Sequence, residues 1–258
     1  MASKKIKVGF ESYDISYEIL NPKCENAILF LHGWGANKEI MKKAFGAHLT
    51  NFCHIYVDMP GFGASSINSP LKTKDYAKII RAFIAELSTK PAIIAGHSFG
   101  GKVATLLEPA NLVLLSSAGI VEKKPLSVRF KIAVFKLFKL LGFGKFYRLF
   151  ASKDVSGMSR TMYETLKNVV DEDFSSKFEN FKNKALIFWG KNDRATSLKS
   201  GDKIHKFIKN SEFFPLEGDH FFFLLHAKFI SQTIEDGMGV DTMVDIDLQE
   251  DSGIEEIR

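Results

Sequence analysis

The sequence predicts an α/β fold, with a parallel sheet between two layers of helices and one helical insertion. Three observations predict it. Short apolar runs without alternation, as strands covered on both faces require, recur at residues 26–31, 54–57, 92–95, 112–115 and 185–189. Helical segments separate several of them, at about 39–47, 73–87, 98–107 and 197–208, and buried strands alternating with helices imply parallel pairing. Between Leu115 and Ala185 the alternation stops, and about 65 residues read as helices.

Composition agrees with this class. The chain has 258 residues, 45% hydrophobic and 25% charged, a balance that places it among globular rather than disordered proteins. A chain of this length buries roughly 70–75% of its unfolded surface and needs neither metal nor disulfides to hold a core. Cys24 and Cys53 are the two cysteines, which excludes a disulfide scaffold and a zinc cluster; no metal and no cofactor is expected. The first residues carry lysines with no apolar stretch behind them, and no run approaches the ~18–20 apolar residues of a membrane span. The expectation is a cytoplasmic protein.

Taken in order, residues 5–10 and 12–20 read as an opening hairpin, followed by the alternating strands and helices. The insertion runs from about Ile120 to Lys184. On a helical wheel Phe130, Ala133, Val134, Leu137, Phe138, Leu140 and Leu141 share one arc, with Arg129, Lys131, Lys136 and Lys139 opposite, interrupted by Ile132 and Phe135. Residues 212–215 make a last strand, and an apolar helix follows. The chain thus divides into a core of residues 1–119 and 185–234, a helical lid of 120–184 and an acidic tail of 235–258, in which Val244, Ile246 and Leu248 alternate with aspartates.

The net charge of +5 hides an asymmetry. Residues 121–153 hold nine basic side chains and one acidic, whereas 235–258 hold nine acidic and one basic. A basic block of this kind suits an acidic protein partner, nucleic acid or an anionic surface, or is simply a solvated face.

Chemistry concentrates where parallel strands end, the usual place for function in such sheets. After the apolar strand at 91–95 comes Gly96-His97-Ser98-Phe99-Gly100-Gly101, then a helix. A serine at so sharp a turn adopts strained backbone angles, and side chains at Gly96 or Gly100 would collide with strand and helix. His32-Gly33-Trp34-Gly35 follows another strand and leaves the Trp34 N–H unblocked; with the Phe99 N–H it makes a candidate oxyanion hole. A serine hydroxyl needs an adjacent base. His220, in Glu217-Gly218-Asp219-His220-Phe221, stands after the last strand, and Asp193, after the strand at 185–189, is the carboxylate to orient it; Asp219 is the alternative acid. The order Ser98, Asp193, His220 is that of one fold class. His32 and His97 are expected to shape their turns, His48, His54, His205 and His226 to be structural, and residues 58–63 to form a structural turn lining the pocket.

These motifs, His32–Gly35, Asp58–Gly63, Gly96–Gly101, Asp193 and Gly218–His220, together resemble the α/β-hydrolase superfamily over about residues 5–232. The resemblance implies an eight-stranded, mostly parallel sheet, a triad of Ser98, Asp193 and His220, and a lid inserted after the sixth strand. Relatives that use aspartate as nucleophile are set aside by Ser98. Within the superfamily the pattern resembles carboxylesterases, including those acting on methyl esters of pimeloyl-acyl carrier protein, and the C–C bond hydrolases of ring-cleavage products. The expected activity is carboxylic ester hydrolysis through an acyl-enzyme, with C–C bond hydrolysis as the alternative, and a non-enzymatic binding or membrane-surface protein as the reading from another class. A small ester or acyl substrate is expected, with an acidic acyl-carrier protein as a partner for the basic lid; nucleic acid and membrane are not expected partners.

Overall fold

The structure is a computed structural model and describes residues 2–122 and 158–237. Eight strands form one sheet: β1 (Ala2–Val8), β2 (Glu11–Leu20), β3 (Ala27–Leu31), β4 (Cys53–Val57), β5 (Pro91–His97), β6 (Asn111–Leu115), β7 (Lys184–Gly190) and β8 (Ser211–Leu216). Their order is β1-β2-β4-β3-β5-β6-β7-β8. β2 is antiparallel to both its neighbours, and every pair from β4 to β8 is parallel.

Side chains alternate across the sheet with the strand period of two, and both faces are apolar. Leu29, Leu31, Ile94, Leu112, Leu114, Ile187 and Trp189 point into one core layer. Ile28, Phe30, Ile93, Ala95, Val113, Leu115, Leu186 and Phe188 point into the other. Burial on both faces is why these strands read as unbroken apolar runs. The first layer is closed by Tyr76, Ile80 and Phe83 of α2 (Thr73–Ala85), Val103 and Leu107 of α3 (Phe99–Leu107), and a later helix described below. Met41 and Phe45 of α1 (Lys38–Phe45) close the second layer.

The inserted region returns to the described residues at Met158. α4 (Arg160–Val169) begins where Ser159 Oγ accepts the Met162 N–H at 3.2 Å, and α5 (Ser175–Asn180) follows, with Phe174 and Phe178 buried. The apolar arc with its opposing basic residues at 129–141 and the alternating residues 244–248 lie outside the described residues. α6 (Leu198–Phe207) adds Ile204 to the first layer. α7 (Phe223–Gly237) lays Phe223, Ala227, Ile230 and Ile234 on the second, running past residue 234 to Gly237, whose carbonyl accepts from Lys184 Nζ.

Both flanks of the insertion are tied to the core by acids. Glu122 Oε1 accepts from the Ser197 N–H (3.2 Å), the Ser197 hydroxyl and Ser200 Oγ, at the first turn of α6. On the return, Lys102 Nζ of α3 reaches the Val169 carbonyl (2.7 Å) and Glu172 Oε2 (3.2 Å) and lies 4.6 Å from the Phe174 ring centroid.

Candidate active site

Ser98 stands between β5 and α3 with φ 51° and ψ −114°, a conformation that costs on the order of 1–3 kcal/mol outside glycine. The surroundings enforce it. The Ser98 N–H donates to the Leu115 carbonyl (3.1 Å), and its own carbonyl accepts from Gly101 and Ala118 (3.0 Å each). A Cβ on Gly96 would meet the backbone of Gly100 and Gly101, and one on Gly100 the carbonyls of Leu31 and His32. Close approach of neighbouring backbone therefore leaves no room for a side chain at Gly96 or at Gly100.

The turn after β3 is braced by a histidine. His32 is fully buried; its Nδ1–H donates to the Gly33 carbonyl (2.8 Å), and its Nε2 accepts the Met59 N–H (3.0 Å). Both bonds fit the neutral ring, and burial takes its pKa down to about 4. The Gly33 carbonyl and the Trp34 N–H belong to one planar trans peptide, so holding the carbonyl fixes the direction of that N–H. The Trp34 indole packs edge-on against Phe62 (4.9 Å) and Phe99 (5.6 Å).

Beneath that turn lies a buried ion pair. Asp58 Oδ2 accepts from Lys38 Nζ (2.6 Å) and the Ala64 N–H (3.0 Å), and Oδ1 from the Lys38 N–H (2.8 Å). Lys38 Nζ also donates to Ser16 Oγ on β2 at 3.1 Å. The side chains are 3% and 1% exposed. Burial raises the Asp58 pKa, but its hydrogen bonds from Lys38 and Ala64 and the Lys38 charge outweigh this and leave it lowered.

On the other side of Ser98, His220 Nδ1 donates to Asp193 Oδ2 at 2.7 Å, with the Asp193 side chain fully buried and that of His220 17% exposed. Asp193 Oδ1 accepts from the N–H groups of Ala195 (2.8 Å) and Thr196 (3.0 Å). Thr196 Oγ lies 2.9 Å from Asp193 Oδ2 and 3.1 Å from the Ser116 carbonyl, sharing one proton between them. Burial alone would raise Asp193; the hydrogen bonds from His220 and Thr196 prevail and bring its pKa to about 2. Asp219, the alternative acid, is exposed and accepts the Phe221 N–H instead (2.8 Å). Among the described residues no direct hydrogen bond joins Ser98 to His220.

Three further histidines bond within the framework: His54 to Tyr56 Oη and the Leu49 carbonyl, His205 to Ser211 Oγ, and His226 to the Glu217 carbonyl. Sequence reasoning missed Lys38, Thr196 and Ser116. The one signal for Thr196 was its place three residues after Asp193, the spacing at which a hydroxyl and N–H can fold back on a carboxylate. Among the described residues no group of histidine, cysteine or acidic side chains could hold a metal, and no helix is long and apolar enough to cross a membrane.

A strained serine between strand and helix, a histidine–aspartate pair after the last two strands, and eight strands in this order define an α/β-hydrolase architecture. The Alpha/beta hydrolase family profile matches residues 28–230, and the chain belongs to that family. A pimeloyl-[acyl-carrier protein] methyl ester esterase of Pseudoalteromonas atlantica is 34% identical over 97 residues, spanning 35% of this chain and only 36% of that protein. The monoacylglycerol lipase ABHD6 of Bos taurus is 26% identical over 80% of this chain and 73% of its own. Among solved structures, an esterase from Exiguobacterium antarcticum superposes with TM-score 0.71 at 20% identity, covering 91% of this chain and 98% of that one.

Proposed function

We propose that the protein is a serine hydrolase of carboxylic esters. The observation that carries this reading is the 2.7 Å bond from His220 Nδ1 to a buried Asp193 carboxylate, on the same strand ends as Ser98 in its strained turn. Ser98 Oγ attacks the ester carbonyl carbon while His220 Nε2 takes its proton. His220 then gives that proton to the departing alkoxide, leaving Ser98 acylated. Water, deprotonated by the same imidazole, hydrolyses the acyl-enzyme and returns the serine hydroxyl. Asp193 holds the tautomer with Nδ1 protonated and stabilises the imidazolium without being protonated itself. The N–H groups of Trp34 and Phe99 receive the oxyanion, each contributing roughly 3–4 kcal/mol to the transition state.

The substrate class favoured within this reading is an ester carried by an acidic acyl-carrier protein. Its support is the name of the Pseudoalteromonas relative and the basic block at 121–153. Residues 120–184 then act as the lid that selects the acyl chain. Reversing Arg129, Lys131, Lys136 and Lys139 to Glu should raise KM for a carrier-linked ester and leave small soluble esters unaffected. Equal hydrolysis of both substrates by that variant removes the carrier.

The hydrolase itself is tested by fluorophosphonate labelling and by p-nitrophenyl esters of increasing chain length. Wild-type protein should label and turn over, and Ser98→Ala should do neither. Labelling that persists in Ser98→Ala removes Ser98 from the mechanism.

A further inference from the structure

His97, the residue before the serine, does more than fill a turn. It is 1% exposed. Its Nε2 lies 3.0 Å from the main-chain carbonyl of His220, which can only accept, so Nε2 carries the proton. Its ring centroid is 4.6 Å from that of His220, and Phe221 and Phe223 pack on it at 5.3 and 4.8 Å. The opposite edge faces the turn after β3: a Cβ on Gly33 would stand 2.8 Å from His97 Nδ1 and 3.2 Å from Ser98 Cβ. Nδ1 itself is buried and has no hydrogen-bond partner among the described residues.

One ring therefore touches all three parts of the proposed machinery: it is bonded in the chain to Ser98, abuts Gly33 beside the Trp34 N–H, and holds the backbone of His220. His220 is consequently fixed at two points, its carbonyl by His97 and its Nδ1 by Asp193. Two anchors on one residue leave its side-chain torsions little freedom, and so determine where Nε2 stands.

We propose that His97 is a positioning residue, a neutral Nε2–H donor that sets the height of the His220 imidazole over Ser98. The inference rests on the ester-hydrolase reading above. Its neutrality follows from the site: burial, and then the neighbouring His220, take the His97 pKa down to about 3. A second proton would sit on an Nδ1 with no acceptor, facing the Gly33 backbone.

The test compares His97→Leu with His97→Gln, using p-nitrophenyl acetate. Glutamine can place its amide N–H close to where Nε2 stands, whereas leucine fills the space without a donor. A misplacement near 1 Å can cost about 100-fold in rate, so His97→Leu should lose roughly 10–100-fold in kcat with KM nearly unchanged, and His97→Gln should recover most of the loss. A leucine variant with full kcat, or a glutamine variant no better than leucine, overturns the proposal. A wild type that neither labels with fluorophosphonate nor turns over overturns the hydrolase reading and this one together; an active wild type with an equally active leucine variant overturns this one alone. Imidazole ¹H–¹⁵N spectra of the wild type supply a measurement independent of whether the variants fold. His97 should appear at pH 5 as the neutral Nε2–H tautomer, and an Nδ1–H or doubly protonated ring overturns the assignment.

Discussion

Asp58 and Asp193 are two aspartates in nearly the same situation. Each follows a parallel strand, β4 or β7, each is buried, and each accepts two backbone N–H groups and a nitrogen side chain. Each has its pKa lowered against the pull of burial. They differ in the partner. Asp58 faces an ammonium that is 3% exposed and also donates to Ser16 Oγ, so the pair is closed and ties β2, β4 and α1 together. Asp193 faces an imidazole whose side chain is 17% exposed and reaches solvent. Residue type and location at a strand end are the same. The partner's exposure separates them, a closed ammonium for Asp58 and a solvent-reaching imidazole for Asp193, which under the proposed mechanism makes one a brace and the other part of a proton relay.

The comparison breaks first at Asp193. Asp193→Asn keeps the shape but no longer selects the Nδ1–H tautomer; kcat for p-nitrophenyl acetate should fall by about 10⁴. Near-normal turnover would make Asp193 a second brace. Asp58→Ala should do the reverse. Removing one member of a buried pair costs about 3–5 kcal/mol, read as a lowered urea midpoint, while kcat of the folded protein changes far less than in Asp193→Asn. Adding Lys38→Met to Asp58→Ala should recover part of that stability, since the orphaned ammonium is what costs most; no recovery would mean that the hydrogen bonds, and not the charge, hold this corner.

Acid should separate the two regions further. His32 and His97 are held neutral in the folded protein, with pKa values of about 4 and about 3, against roughly 6.5 when unfolded. Below pH ~6.5 the unfolded chain binds protons that the folded one refuses, so stability falls with falling pH, by up to about 1.4 kcal/mol per unit for each ring, until the folded pKa is reached. The aspartates work lower: their contribution is complete above roughly pH 4 and is lost below it, as pH approaches about 2 for Asp193. Thermal melts between pH 7 and 4.5 should therefore report the histidines, and His97→Gln should flatten the slope. An unchanged slope would show that His97 is protonated in the fold. The smallest effect expected is from Thr196→Val, which removes the hydroxyl beside Asp193 Oδ2. A loss of about 1 kcal/mol, a few-fold in kcat, is expected; a loss comparable to Asp193→Asn would make Thr196 the residue that orients the carboxylate.

What was legible in the sequence is what local pattern encodes. The strands flanked by both core layers were unbroken apolar runs, and the turn at Ser98 declared itself through Gly96 and Gly100, whose missing side chains are demanded by neighbouring backbone. Edges of elements were blurred for a physical reason: β5 continues through Gly96 and His97, which are not apolar, because the ladder pairs them with Leu31, Leu114 and Leu115. The brace was illegible. Lys38 lies in a helix whose Glu39, Lys42 and Lys43 look equally solvated, and only the meeting of β2, β4 and α1 closes water away from it. His97 was legible as a turn residue but not as a donor, since its acceptor lies 123 residues away in the chain.

The acids flanking the insertion have an evolutionary consequence. Glu122 is fastened to the first turn of α6, just past the Asp193 loop, and Glu172 to Lys102 on the helix that Ser98 begins. With both flanks pinned to the framework, the two points between which any insertion must run are set by the core. For a flexible connection between two fixed points, each doubling of length costs only about 0.6 kcal/mol of closure entropy. Descendants of this chain can lengthen, shorten or rewrite residues 123–157 as an exchangeable cassette and inherit the framework around Ser98 intact.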